Sequence, residues 1–293
     1  MLLRTHQLDE TSLMALQVLL NTCKKSDNHS IPVYPHLLAE RRAGPPSLLY
    51  YDDEDKLVGF LAIFRFHADS CEIALMIEPT YRQQGLATAL WKTMLPSIQA
   101  IRPMIKEVII STPQGLHQTH LKHHACHFQH SEYNMEYLNL TSSPRMMSDT
   151  SLIIRPAEYT DIVNLCVIDK ICFNPHRQQA ELRFKASIDN PNIHVFVAEY
   201  AQHIVGQVHL TFESTEVRLT DLAVLPAWQR QGFGQALLEF CLNHVYQHDR
   251  DRITLVVAAK NQQALHLYQN QGFTMYNAVD YYKHDLTTFK LDL

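Results

Sequence analysis

A glycine-punctuated segment occurs twice in this chain, the two glycines lying 147 residues apart. The first copy runs Leu75-Met76-Ile77-Glu78-Pro79 and reaches Gly85 six residues after the proline; the second runs Leu222-Ala223-Val224-Leu225-Pro226 and reaches Gly232 at the same interval. In both, an apolar strand-like run ends at the proline, and an amphipathic helical pattern starts behind the glycine. Such a layout suits an anion. Glycine lets the backbone come close, and a helix start presents free N–H groups and a positive dipole end. Arg82 and Arg230 add positive charge near each glycine. The repeat is expected from two related domains, each built around an anion cradle.

The length of 293 residues suits two domains of ordinary size, and 46% hydrophobic with 19% charged residues reads as globular. No apolar run approaches the roughly 20 residues that a membrane helix needs. The opening Met1-Leu2-Leu3-Arg4-Thr5-His6 lacks a secretory apolar stretch. Cys23, Cys71, Cys126, Cys166, Cys172 and Cys241 form no paired framework and read as reduced thiols, so a cytoplasmic location is expected. The net charge of −5 shows no basic surplus, which argues against nucleic acid as a partner. Neither nucleic acid nor membrane is expected to bind.

Both halves follow one plan. A short strand opens each, over 1–6 and 152–157, followed by helix starts at Glu10-Thr11-Ser12 and Thr160-Asp161. Helical spacing continues through Leu13, Leu16, Leu19 and Leu20, and again through Ile162, Leu165 and Ile168. Two strands joined by a turn come next, over 47–51 and 58–66 in the first half and over 194–200 and 205–212 in the second. After each glycine helix a further strand is expected, over 107–111 and 253–258. Residues 142–150 are polar and read as a linker. The expected domains are therefore 1–141 and 151–293.

The second half resembles the GNAT acetyltransferase superfamily closely. Gln229-Arg230-Gln231-Gly232-Phe233-Gly234 matches its phosphate loop, and Asn261-Gln262-Gln263-Ala264-Leu265-His266-Leu267-Tyr268 leading to Gly272-Phe273 matches its later helix and turn. The resemblance implies an α/β (α+β) fold of two tandem GNAT domains, each a mixed, mostly antiparallel sheet flanked by helices. It implies acetyl-CoA as co-substrate, bound through Leu222, Ala223 and Val224, the loop Gln229, Arg230, Gln231, Gly232, Phe233, Gly234 and Gln235, and Asn261 and Tyr268. The first half resembles the family less completely. Ile77 and Arg82-Gln83-Gln84-Gly85-Leu86-Ala87 would form a second CoA site, but the later motif has decayed. Phe128, His127 and His123 would there stand for Phe273, Gly272 and Tyr268. The arrangement is similar to that of mycothiol synthase, whose C-terminal domain is the active one. The first domain is accordingly expected to be non-catalytic.

Moving an acyl group from a thioester to an amine requires a polarised carbonyl, a neutral amine and a thiolate that can leave. The resemblance implies that backbone N–H groups near Val224 polarise the carbonyl and that Tyr268 protonates the thiolate. On spacing alone Tyr268 also suits the apolar face of a helix. A phenol of pKa ~10 giving its proton to a thiol of pKa ~8.5 works uphill by about 2 kcal/mol. Asp221, Glu213 and Glu216 are candidate bases; each also reads as a solvated carboxylate. Strand alternation puts Asp221 on the face opposite Thr220 and Leu222 unless a bulge intervenes. Of the 18 histidines, six fall between His117 and His130. His117, His120 and His124 share a helical face and Cys126 adds a soft ligand, but no zinc-finger spacing recurs, so no metal is expected. Tyr281, Tyr282 and Lys283 read as an edge strand, or as a lining for the acceptor. The resulting expectation is an acetyl-CoA-dependent N-acetyltransferase acting on a primary amine of a small molecule or peptide. The alternative is a non-catalytic acyl-CoA-binding or sensing protein, and either admits a homo-oligomer.

Overall fold

The structure, a computed structural model, describes residues 1–66, 69–116, 126–138, 151–173 and 179–285. The histidine run 117–124 and the expected linker 142–150 lie outside the described residues. Two compact units are present, and they do not follow a cut at 142–150. Unit 1 takes Met1–Tyr133, Ala258–Lys260 and the chain from Asn277 on; unit 2 takes the described parts of Asn134–Val257 together with Asn261–Tyr276.

Unit 1 opens with strand β1 (Leu2–Thr5) and helix α1 (Glu10–Asp27). The cap of α1 is Asp9, one residue before the expected start, and its carboxylate accepts from the Ser12 N–H at 2.8 Å. Leu16, Leu19 and Cys23 recur at helical spacing and are buried, and the helix stops where Asn28 turns left-handed. A short α2 (Pro35–Ala39) precedes β2 (Ser47–Tyr51), β3 (Leu57–Phe64) and β4 (Ser70–Ile77). Helix α3 (Leu86–Ile101) and β5 (Glu107–Pro113) follow. The two long helices cover the sheet. Leu16, Leu19, Leu38, Phe60, Ala62 and Ala74 form one core cluster. Leu61, Ile73, Leu90, Trp91 and Met94 form another.

The strand order of unit 1 is β1-β2-β3-β4-β5, and its next strand comes from the far end of the chain. Strand β12 (Thr274–Asp285) runs antiparallel to β5, from Val279 opposite Pro113 to Asp285 opposite Glu107. The first part of β6 (His127–Tyr137) lies on its other side, where Ser131 Oγ donates to Asp280 Oδ1 at 2.6 Å and His130 stacks on Tyr281. Tyr281, Tyr282 and Lys283 therefore occupy an interior strand, not the edge strand expected. Hydrophobic periodicity shows which residues alternate across a strand, but not which sheet the strand joins.

Unit 2 repeats the plan with β7 (Ile153–Pro156), α4 (Ile162–Cys172), α5 (Ala180–Asp189), β8 (Ile193–Tyr200) and β9 (His203–Phe212). Then come β10 (Val217–Val224), α6 (Phe233–Gln247), β11 (Ile253–Ala258) and α7 (Gln262–Asn270). Its sheet runs β6-β11-β10-β9-β8-β7 and is antiparallel except for the β10–β11 pair. Each unit is thus the mixed, mostly antiparallel sheet with flanking helices that the sequence implied. Among the described residues, no helix is long and apolar enough to cross a membrane. All six cysteines are free thiols.

Candidate functional site

The two glycine loops have one backbone shape. Arg230 and Gly232 take φ of 61° and 85°, and the residues 147 positions earlier, Gln83 and Gly85, take 61° and 81°. Left-handed backbone at alternate positions turns successive N–H groups to the same side, an anion-binding concavity. Helix α6 begins behind Gly232 with no side chain capping it, and its first backbone bond runs from Ala236 N–H to the Gly232 carbonyl. The first-turn N–H groups have no carbonyl within the helix. A Cβ on Gly232 would meet no atom within 4 Å, so a side chain there would project into the open cradle. The cradle fits a pyrophosphate.

The side chains around the loops differ. Arg82 donates Nε to the Ile77 carbonyl at 3.0 Å and sets both terminal nitrogens on Asp27, at 2.7 and 2.8 Å. Asp27 holds the guanidinium above its ordinary pKa, so in unit 1 this charge is already paired. The residue 147 positions later, Gln229, bonds the equivalent carbonyl, that of Val224, at 2.9 Å. Arg230 is exposed and makes no ion pair among the described residues. Phe233 is buried against Tyr200, and Gln235 donates to Glu239 on its own helix at 2.9 Å. These two residues offer the cradle their backbone, not their side chains.

Behind the loop, β10 carries the bulge that the alternation rule left open. Its register against β9 shifts between Thr220 and Ala223, and Asp221 takes φ of 50°. The pairing of β10 with β11 is confined to Val217 with Ile253 and Arg218 with Thr254, so the edge of β10 from Leu219 to Val224 faces a widening gap. Gly206 makes the bulge compatible with close packing. A Cβ there would stand 2.7 Å from the Ala223 carbonyl. In unit 1 the pairing of β3 with β4 runs without a shift from Gly59–Ile77 to Phe64–Glu72.

The bulge rotates Asp221 toward a polar cluster. Its carboxylate lies 3.5 Å from His209 Nδ1. His209 contacts the ring of Phe184 on α5. Two residues back along β9, Gln207 is fully buried, and neither of its amide atoms has a hydrogen-bond partner among the described residues. Nearby on the helices of this face, Asp169 of α4 pairs with Arg183 of α5 at 2.8 Å. The residues 147 positions before Gln207, His209 and Asp221 are Phe60, Ala62 and Ala74, all in the apolar core of unit 1. One fold therefore fills the same place with hydrocarbon in unit 1 and with an amide, an imidazole and a carboxylate in unit 2. Sequence reasoning singled out Asp221 but missed Gln207 and His209. Polar residues two apart inside the apolar run of β9 were the available signal.

Tyr268, on α7, is buried, and burial pushes its phenol up to about 12, with the Cys241 thiol contributing next. Its ring packs against Phe273. Asn261 caps α7, its side-chain oxygen accepting from the Ala264 N–H at 3.1 Å. The other candidate carboxylates are engaged. Glu213 pairs with Arg218 at 2.9 Å, and Glu216 binds Arg252 at 2.8 Å and the Thr254 hydroxyl at 3.0 Å. In unit 1, Phe128 is half exposed on β6 whereas Phe273 is buried, so the two are not equivalent in packing; His123 lies outside the described residues. Among the buried acids of unit 1, Glu72 accepts from the Tyr34 hydroxyl at 3.1 Å and is pushed by burial up to about 7.

Comparison with known proteins bears on the family and the fold. The profile of the Acetyltransferase (GNAT) family matches residues 13–109 and 161–273. A putative [ribosomal protein bS18]-alanine N-acetyltransferase of Bacillus subtilis is 26% identical over 85 residues, which are 29% of this chain and 56% of that protein. The [ribosomal protein bS18]-alanine N-acetyltransferase of Escherichia coli K12 is 40% identical over 58 residues, 20% of this chain and 39% of the relative. The chain thus spans about half or less of the length of these curated relatives. Among solved structures, a GCN5-related N-acetyltransferase from Sphaerobacter thermophilus superposes with a TM-score of 0.80 at 14% identity, covering 97% of this chain and 95% of the other. A tandem GNAT protein from the clavulanic acid biosynthesis pathway gives 0.69 at 11% identity, covering 97% and 98%. At such identities the likeness is one of fold.

Proposed function

The chain belongs to the GNAT acetyltransferase family, and from that premise we propose that unit 2 transfers an acetyl group from acetyl-CoA to a primary amine, while unit 1 does not catalyse. The observation that carries this reading is the exchange of Phe60, Ala62 and Ala74 for Gln207, His209 and Asp221 at matching places in the two units. Placing a half-buried carboxylate and two buried polar groups where hydrocarbon would pack is unfavourable unless they have work to do.

Acetyl-CoA supplies the activated thioester. The loop from Arg230 to Gln235 holds its pyrophosphate by backbone N–H groups, and the open edge of β10 at Leu222, Ala223 and Val224 receives the pantetheine arm. Asp221 takes the proton of the attacking amine, and His209 orients the carboxylate from behind. Gln207 presents its amide to the acceptor. The amine nitrogen bonds to the acetyl carbon as the carbon–sulfur bond breaks, and Tyr268 donates a hydrogen bond to the departing sulfur. A phenol at about 12 stands roughly 5 kcal/mol above a thiol of pKa ~8.5, so it binds the sulfur as a neutral donor rather than yielding its proton early. Asn261 acts indirectly, by fixing the helix that carries Tyr268.

The acceptor we favour is an α-amine on a peptide or small molecule. The two curated relatives are named for acetylating an alanine of a ribosomal protein. An α-amine of pKa ~8 is about one-tenth neutral at pH 7, so a modest base suffices. The test is release of CoA thiol from acetyl-CoA across a panel of amines and peptides. The expected result is turnover with an α-amine, abolished in Asp221→Asn. Tight acetyl-CoA binding with no thiol released from any amine would make the chain an acyl-CoA-binding protein instead.

A further inference from the structure

Away from the cradle, unit 2 brings together three histidines that sequence spacing alone does not unite. His244 and His248 stand one turn apart at the end of α6, and His194 lies at the start of β8. One ring nitrogen from each lies within 4.8 Å of the others. His194 Nδ1 and His244 Nε2 are 2.8 Å apart. Among the described residues, no carboxylate or thiolate belongs to the group.

We propose that His194, His244 and His248 form a binding site for a divalent cation that prefers imidazole ligands, zinc above all, tying β8 to the end of α6. Three neutral imidazoles with an open fourth position suit tetrahedral zinc, whose Zn–N bonds of about 2.0–2.1 Å set ligand nitrogens about 3.3 Å apart. The present nitrogens, within 4.8 Å of one another and 2.8 Å apart for one pair, bracket that spacing.

Three further observations fit a metal site better than a packing contact. First, one ring is already held by a backbone carbonyl through one of its nitrogens. His248 donates Nδ1–H to the His244 carbonyl at 2.7 Å, leaving Nε2 for the ion. His194 presents Nδ1 on the cluster side, 2.8 Å from His244 Nε2. Ligand histidines are ordinarily oriented in this way. Second, the site lies in the last turn of α6, where the helix dipole favours positive charge. Third, Phe196, Phe212 and Phe240 surround the group, with Phe240 stacked on His244, so one wall is dry. When zinc binds, the ring that donates across the His194–His244 contact moves its N–H proton to its other nitrogen, so both rings ligate as neutral imidazoles.

The site is separate from acyl transfer. His244 is twelve residues along α6 from Gly232, about 18 Å at 1.5 Å per residue. The ion would act as a clamp.

The test is titration of the chelator-treated full chain with Zn²⁺ by calorimetry, and with Co²⁺ by its visible absorption. The wild type is expected to bind Zn²⁺ at sub-micromolar concentration and to give the intense visible bands of tetrahedral Co²⁺. His248→Ala, at an exposed position, should remove one equivalent of tight binding or weaken it by about 100-fold or more. It should leave acetyl transfer unchanged. His194→Phe with His244→Leu should do the same to Zn²⁺ binding while keeping the aromatic packing. Failure of the wild type to bind Zn²⁺ at 100-fold excess, or equal stoichiometry and affinity in both variants, would overturn the proposal. The second result would place the bound zinc on other histidines of the chain.

Discussion

Arg82 and Asp27 face each other in a two-pronged ion pair, with nitrogen–oxygen distances of 2.7 and 2.8 Å, on the helix-and-loop face where unit 2 has the neutral Gln229. The guanidinium beside the unit 1 glycine loop is committed to holding α1 on its own domain. Asp27→Ala is expected to destabilise unit 1 by about 2–3 kcal/mol, because it leaves a half-buried charge unpaired. Gln229→Ala, which removes one neutral hydrogen bond, should cost about 1 kcal/mol. Urea unfolding of the two variants measures the difference.

The paired glycines separate binding from folding. Both take φ near +80°, so a valine at either position strains the loop by of order 1–2 kcal/mol. Gly232→Val is expected to abolish acetyl-CoA binding and acetyl transfer, whereas Gly85→Val should lose similar stability and keep both. Calorimetry with acetyl-CoA on each folded variant decides. One site per chain in the wild type, lost only in Gly232→Val, is the expected pattern.

Tyr268→Phe removes a hydroxyl that burial keeps protonated. Turnover should fall by about 10²-fold, at the lower end of the range for acid–base groups, since hydrogen bonding rather than full proton transfer is lost. Affinity for acetyl-CoA should be unchanged. Equal turnover in variant and wild type would make Tyr268 a packing residue beside Phe273.

Glu72 gives unit 1 a pH dependence of its own. In the unfolded chain its carboxyl has the ordinary value of 4.5; in the fold it stands at about 7. Between those values the folded chain keeps a proton that the unfolded chain has lost. This contribution is therefore full below about pH 4.5 and is lost as pH rises through 7, by of order 3 kcal/mol in all. Glu72→Gln should flatten that dependence. Urea midpoints of both proteins at pH 5.5 and pH 8 give the comparison, with the wild type losing more than the variant at pH 8.

The sequence made some of these features legible and hid others for physical reasons. The loop at Gly232 could be read because positive φ and close anion approach both demand glycine, and one-dimensional spacing preserves that demand. Strand 253–258 was readable from its apolar run with flanking polar residues. Asp221 was only half readable. Its residue type suggested a base, but its direction depends on a bulge, and a bulge is a property of the strand pair. His209 and Gln207 were missed because strand periodicity assigns them to a covered face, where polar groups are not expected. The His194–His244–His248 group joins a strand to a helix some fifty residues away, a distance that no motif spans. The ion pair of Arg82 with Asp27 is long-range in the same sense.

Strand β12 also sets an order of events during synthesis. The ribosome makes β1 to β5 first, yet the edge of β5 stays without its partner until Val279–Asp285 have emerged. At about 5–20 residues per second, all of unit 2 is made during that wait, which lasts on the order of ten seconds or more. An exposed strand edge of that duration is the kind of surface that recruits chaperones or pairs with a neighbouring nascent chain. The domain that begins the chain is thus the last to close. A fragment ending at residue 150 would never close it, and is expected to aggregate where the full chain stays monodisperse in light scattering.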